Sequence, residues 1–343
     1  MSIEINKRLS YIDFLKVASA FMIVMLHVSA TYVDLTGPAL HSLDYFLNYF
    51  SRVALPIFVM ISGALLLRDQ YHFKFKKKFF FIARVYIIWS AFYVLVHQIA
   101  YFISGNPLLT LPEMIVQWIR GPYHFWYLAM LMGFYLLMPI LERIKDFRTL
   151  SCFLALGFFI TYIFEPLTPF LPDCISFFIQ TMIVLNPGTT FLYFLLGAWL
   201  NKLPLEKHFF QLACLSFGTG LALCIYRFLT VTQFDETING SAMNLYSQLL
   251  MAIGFFYGAR YFFRAKESRP LLVKLSRYTL YIYVISAFII FSFEQVIKDV
   301  WNTLVPAAGF SVLLWTILCF IGSAVAASLM LWVDQWLKTR RQH

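Results

Sequence analysis

Apolar runs of roughly twenty residues follow one another along nearly the whole of this chain, parted by short polar or proline-containing connections. A run of that length crosses about 30 Å of hydrocarbon as a helix, since each helical residue advances ~1.5 Å and satisfies its own backbone polar groups. The runs fall near 11–33, 45–67, 79–103, 124–141, 150–171, 188–200, 209–229, 242–263, 278–297 and 309–333. They predict an all-α polytopic membrane protein of about ten transmembrane helices. Residues 1–343 then form a single integral-membrane domain, because no stretch is left for a soluble one. Charged residues are only 13% of the chain, against about 25% in soluble domains. The sixth run is the least regular. Residues 175–185 are also apolar, and Asn186-Pro187-Gly188 separates them from 188–200; a piece that short suits a re-entrant or interfacial segment better than a span.

The basic residues orient these helices. With the connections taken alternately, one set holds 20 of the 27 lysines and arginines, while the opposite set holds only Arg120 and Lys298. The positive-inside rule therefore places both termini in the cytoplasm, and an eleventh span would put every later basic connection outside. The net charge of +10 is a consequence of topology. It does not point to nucleic acid, whose recognition needs a solvated basic face along phosphates. Lys7 and Arg8 ahead of an apolar run have the form of a secretory leader, but Asp13 and Lys16 interrupt that run, and cleavage would leave nine spans. The five cysteines are scattered without metal or redox spacing. The connections at 104–123, 165–187 and 230–241 are the longest, and all are expected on the outer side.

Ionisable groups inside spans are costly, and so they are candidates for function. Lys16 and His27 lie eleven residues apart in the first run. At ~100° per residue they share one helix face, and at ~1.5 Å per residue they stand roughly 16 Å apart in depth. Alternating span directions bring Arg84 to the cytoplasmic depth of Lys16, and Arg52 and His124 to the outer depth of His27. Asp13 lies at i,i+3 from Lys16, a spacing that permits an ion pair. Each has a plainer reading. Lys16, Asp13 and Arg84 are near enough to a helix end to snorkel, as are Arg227 and Arg260. His124, between Tyr123 and Trp126, suits an interfacial aromatic belt, and His27 a packing histidine. His41, His72, His97, His208 and His343 have no zinc-site spacing, and phosphate-loop and nucleophile-elbow motifs are missing from the sequence.

Taken in order, these residues resemble the acyltransferase 3 family of integral-membrane O-acyltransferases, and within it the enterobacterial common antigen O-acetyltransferase type. Tyr11-Ile12-Asp13-Phe14-Leu15-Lys16, followed by His27, is similar to the family's first helix. The stretch Ser51-Arg52-Val53-Ala54-Leu55-Pro56 through Ser62-Gly63 is similar to its second. Tyr123-His124-Phe125-Trp126-Tyr127, with Tyr135 and Pro139, resembles the fourth, and Ser276-Arg277-Tyr278 through Tyr283 a late helix. Two positions depart from the pattern. Lys16 stands where the family usually has arginine, which keeps the charge and loses the planar fork. Ser286 stands where the late helix usually carries a histidine.

The resemblance implies a multi-pass protein of the cell (inner) membrane that takes an acyl group, most often acetyl, from cytoplasmic acyl-coenzyme A. The acceptor is then a hydroxyl of an envelope glycan or lipid-linked sugar. Acetyl-coenzyme A, or another acyl-coenzyme A, is a substrate here and no cofactor is permanently bound. Lys16 and Arg84 suit the donor phosphates, and the resemblance groups Asp13 and Lys16 with His27 as the catalytic residues. His27 serves either as general base or as the group that carries the acyl chain. Arg52 and His124 suit the acceptor or the oxyanion. The competing reading is an exporter or flippase of polysaccharide or lipid-linked sugar, with the same charges lining a pathway. Nothing in the sequence demands a partner subunit beyond the lipid bilayer.

Overall fold

A computed structural model describes residues 9–36, 42–69, 73–167, 170–172, 188–230, 242–304 and 308–340, and among them the chain is helical without strands. The apolar piece at 175–185 lies outside the described residues. The helices are α1 (Ser10–Thr36), α2 (Leu43–Ser51), α3 (Ala54–Leu66), α4 (Phe75–Ile103), α5 (Leu111–Arg120), α6 (Trp126–Leu141) and α7 (Phe147–Phe158). They continue as α8 (Gly188–Lys202), α9 (Lys207–Thr230), α10 (Ala242–Phe262), α11 (Pro270–Leu304) and α12 (Ala308–Arg340). Seven described stretches are long and apolar enough to cross a membrane: Ser10–Thr31, Leu43–Leu66, Phe75–Ile103, Leu111–Leu141, Lys207–Thr230, Pro270–Ser292 and Ser311–Trp332. The three remaining expected spans are also helical, in α7, α8 and α10. The protein is a polytopic all-helical membrane protein.

The chain divides into two compact units, one made of 1–70 and 145–343 and the other of 71–144. In the first, α1 is the hub, packing against α2, α3, α10, α11 and α12. Its buried side chains run from Tyr11 through Leu15 to Val28, with Tyr11 edge-on to Phe256 at 5.8 Å and Phe14 beside Phe263 at 5.0 Å. Helices α3 and α8 touch backbone to backbone. A Cβ at Gly63 would overlap the Phe194 carbonyl, and one at Gly197 the Met60 carbonyl. Two smooth helices gain dispersion contact at this separation without any hydrophobic drive from lipid. Helix α7 widens into a π-helical stretch at Phe159–Phe164; there the Tyr162 hydroxyl donates to Tyr193 at 3.3 Å, and Tyr246 donates to the Tyr162 carbonyl.

The second unit is α4 flanked by α5 and α6. Ile88, Leu95 and Ile99 are exposed along α4, as apolar side chains facing lipid are. The chain at 104–123, expected as an outer connection, instead contains α5, whose N-terminus carries the Thr110/Glu113 capping box with Pro112 in its first turn. Such a box satisfies two otherwise orphaned amides and starts a helix. Gly121 then ends it with φ 67°, a left-handed conformation that a side chain would strain.

Candidate active site

Proline 56 sets the geometry of the site. It has no N–H to donate to the carbonyl four residues back, and its ring clashes with that carbonyl. That residue is Arg52. The helical ladder accordingly breaks there: α2 ends at Ser51, and α3 begins at Ala54, with Val53 N–H donating to Phe50 and Ile57 N–H to Val53. Arg52 is thereby held at a bend within a single membrane-spanning stretch, half-buried.

Asn48, one turn earlier on α2, fixes where the guanidinium points. Its Oδ1 accepts from Arg52 Nε at 3.3 Å and from Nη2 at 3.1 Å. Its Nδ2 donates to the Leu26 carbonyl and to Ser29 Oγ, both at 3.2 Å. Ser29 Oγ itself donates to the Leu26 carbonyl at 3.0 Å. Leu26 and Ser29 bracket His27 on α1, so one amide joins the arginine of the bend to the helix turn that bears the histidine. Asn48 escaped the sequence reading because an asparagine in an apolar helix has no motif. Its one signal was the i,i+4 spacing to Arg52.

Asp13 is 3% exposed. Its Oδ1 accepts from Ser276 Oγ at 2.6 Å and its Oδ2 from Ser268 Oγ at 2.8 Å. Two separated sequence motifs thus meet, the first-helix aspartate and the late-helix serine, and they tie α1 to the start of α11. Lys16 follows one turn along α1, half-buried, with His27 ~16 Å further on. Arg260, expected to snorkel, instead donates from Nη1 to the Leu200 carbonyl at 3.1 Å and the Leu203 carbonyl at 2.7 Å. It caps the end of α8, where the helix dipole favours a cation. Ser286 is buried and donates to the Tyr283 carbonyl at 3.2 Å, a bond within its own helix.

Arg84 and His124 belong to the second unit. Arg84 is exposed on α4. His124 lies in a 3₁₀ turn at Tyr123–Phe125 and is 2% exposed, with the rings of Tyr93 and Tyr123 each 5.2 Å away and that of Phe125 at 4.7 Å. It is an enclosed histidine packed among aromatic rings.

Chemically, the first unit offers an imidazole and a guanidinium held together in an apolar helix pair, with a cation lower on the same helix. That is a polytopic membrane protein equipped for acid–base chemistry beside a fixed positive charge. A family model described as an acyltransferase domain matches residues 9–333, and the chain belongs to this family, acyltransferase 3. The matched range contains Asp13, Lys16, His27, Arg52, Arg84 and His124. Among curated proteins no match is found, and among solved structures none either. The protein is a membrane acyltransferase.

Proposed function

We propose that this acyltransferase moves an acyl group, acetyl being the expected one, from cytoplasmic acyl-coenzyme A to a hydroxyl of an envelope polysaccharide or lipid-linked sugar precursor at the inner membrane. The observation that carries this reading is the Asn48 bridge, which holds Arg52 beside the turn of His27. His27 takes the proton of the acceptor hydroxyl as its oxygen attacks the thioester carbonyl. Arg52 then faces the oxygen on which negative charge develops, and a fixed cation in a dry site is most effective for that task. When the tetrahedral intermediate collapses, the C–S bond breaks and the thiolate recovers the proton from His27. Lys16, lower on α1, suits the phosphate-bearing end of the donor, since an extended pantetheine arm reaches over the ~16 Å between the two residues.

Inverted membrane vesicles given labelled acetyl-coenzyme A test this. Label is expected in glycan or lipid-linked sugar with the wild-type chain. His27→Ala is expected to lower transfer by about 10²–10⁴, the usual worth of a positioned acid–base group, with insertion into the membrane intact. Label trapped on His27 in the absence of acceptor would identify the acyl-histidine route. No transfer from acetyl, succinyl or other common acyl donors, with acceptor present, would favour an exporter.

A further inference from the structure

In the second unit, α5 runs back along the outer half of α4. Taking Lys78 as the last of the basic residues before the apolar stretch, about 30 Å of hydrocarbon covers roughly twenty residues, to about position 98. At that rim Gln98 exchanges two hydrogen bonds with Leu109, at 3.0 and 3.2 Å. The chain then descends. Trp118 Nε1 donates to the Ile87 carbonyl at 2.9 Å, and the Tyr86 hydroxyl reaches the Ile119 and Arg120 carbonyls at 3.0 and 2.8 Å. Gly121 packs against the Tyr86 hydroxyl and Ser90 Oγ. Ser90 is twelve residues beyond Lys78, or ~18 Å. Helix α5 therefore re-enters and delivers Arg120 to the middle of the membrane.

The two sides of α5 differ. Leu111, Ile115 and Ile119 are 70%, 44% and 69% exposed, a surface that lipid accepts. Glu113, Gln117 and Arg120 follow at i, i+4 and i+7, so they fall within roughly 60° on a different side. Glu113 and Arg120 are exposed. His97, also exposed, lies next to this stripe, with Nδ1 at 3.1 Å from Gln117 Oε1. An arginine exposed at this depth does not face hydrocarbon; such residues face a bundle interior or water. The backbone also leaves the helix at Gly121, and irregular backbone at membrane depth is tolerated where it is covered by protein or lines a water-filled space. Glu113 stands at the rim, ~10 Å from Arg120 along the helix, where its Oε2 accepts from the Thr110 N–H and hydroxyl at 2.8 and 2.7 Å and water screens its charge from an anion at the floor.

We propose that the Glu113–Gln117–Arg120 stripe lines a water-filled inlet from the outer face to the middle of the membrane, with Arg120 at its floor binding the anionic group, phosphate or carboxylate, of the acceptor. The guanidinium fork matches paired oxyanion oxygens of either kind. The acceptor part rests on the acyl-transfer reading; the inlet does not.

Impermeant thiol reagents test the inlet without any substrate. Gln117→Cys would be placed in a chain with Cys174, which falls in the expected outer connection 165–187, and the exposed Cys152 and Cys214 replaced by serine. Intact cells and inverted vesicles would then be treated with negatively charged ethylsulfonate and positively charged trimethylammonium methanethiosulfonates. Labelling from the outside is expected, with the anionic reagent favoured and that preference falling about fivefold or more on Arg120→Ala, as expected of a nearby charge in a poorly screened site. Ile115→Cys, on the opposite side of the helix from the stripe, should stay unlabelled. Arg120→Cys provides the same accessibility readout if Gln117→Cys fails to insert. Labelling from the cytoplasmic side alone, equal labelling at 115 and 117, or a charge preference indifferent to Arg120 would each overturn the inlet. In the vesicle assay, Arg120→Ala should raise the acceptor concentration for half-maximal transfer about tenfold and leave that for acetyl-coenzyme A unchanged; an equal rise for both would overturn the acceptor site. Failure of wild-type transfer would count against the acyl-transfer reading, and with it the acceptor assignment, while leaving the reagent result standing.

Discussion

Asn48 and Asp13 show how much a single polar side chain can decide inside an apolar helix pair. Asn48 uses both ends of its amide, so truncating it releases the guanidinium from α1. Asn48→Ala is expected to lower kcat by about tenfold or more, since small misplacements in an active site carry losses up to about 10²-fold. KM for acyl-coenzyme A should hold. Asn48→Asp keeps an acceptor for Arg52 and should lose less; an equal loss in the two variants would mean that the arginine is not what Asn48 positions. Asp13 is different in kind. Its carboxylate is occupied by Ser268 and Ser276, and a buried hydroxyl left without its acceptor costs about 1–3 kcal/mol. Asp13→Ala should therefore lower the thermal midpoint of the purified protein in detergent, and Ser276→Ala should lower it less because Asp13 keeps Ser268. A thermal midpoint unchanged by Asp13→Ala would remove the tie between α1 and α11.

Among the elements, the α2–α3 break most directly couples sequence to chemistry. Pro56→Ala restores an N–H able to bond the Arg52 carbonyl, and relieves a defect worth up to about 3 kcal/mol in a helix interior. Asn48 and Arg52 stay one turn apart on one face, but straightening the bend shifts the pair against α1, on which α2 and α3 both pack, and strains the Asn48 bonds to Leu26 and Ser29. Stability equal to or above wild type with reduced transfer is the expected pair of results, read from a melting curve and the vesicle assay; wild-type transfer would show that the bend is dispensable. The motif containing Pro56 was readable in the sequence, and so were the helices, because spacing of apolar residues depends only on the lipid around them. Their partners were not readable. Gly63 stands in a recognisable motif, but its purpose, the approach of α8 at Gly197, depends on a helix more than a hundred residues away. Re-entry of α5 had a local signal, Thr110 and Glu113 at capping-box spacing with Pro112 between. Reading 104–123 as a connection missed it because the piece is too short to span.

Across the whole molecule the decisive pattern is charge against depth. Of 27 lysines and arginines, 20 lie in alternate connections, and short cytoplasmic connections collect such residues because translocating them is unfavourable. Exposed apolar side chains such as Ile88, Ile99, Leu215 and Leu329 have the complementary distribution expected of lipid contact. Under the proposed function the same asymmetry gives the active site its direction, with Lys16 near the basic rim on the donor side and His27 beyond it on the acceptor side of one helix. If that direction is correct, alkaline phosphatase fused after Asn106 should be active, because the enzyme folds only outside the cytoplasm, and a fusion after Lys145 should be inactive. The two positions are separated by α5 and α6, and the proposed re-entry of α5 leaves a single crossing between them, so opposite results are expected. Activity at both would mean that α5 crosses fully. Activity at Lys145 alone would invert the protein, put Lys16 on the acceptor side, and leave a cytoplasmic thioester with no cation to meet its phosphates.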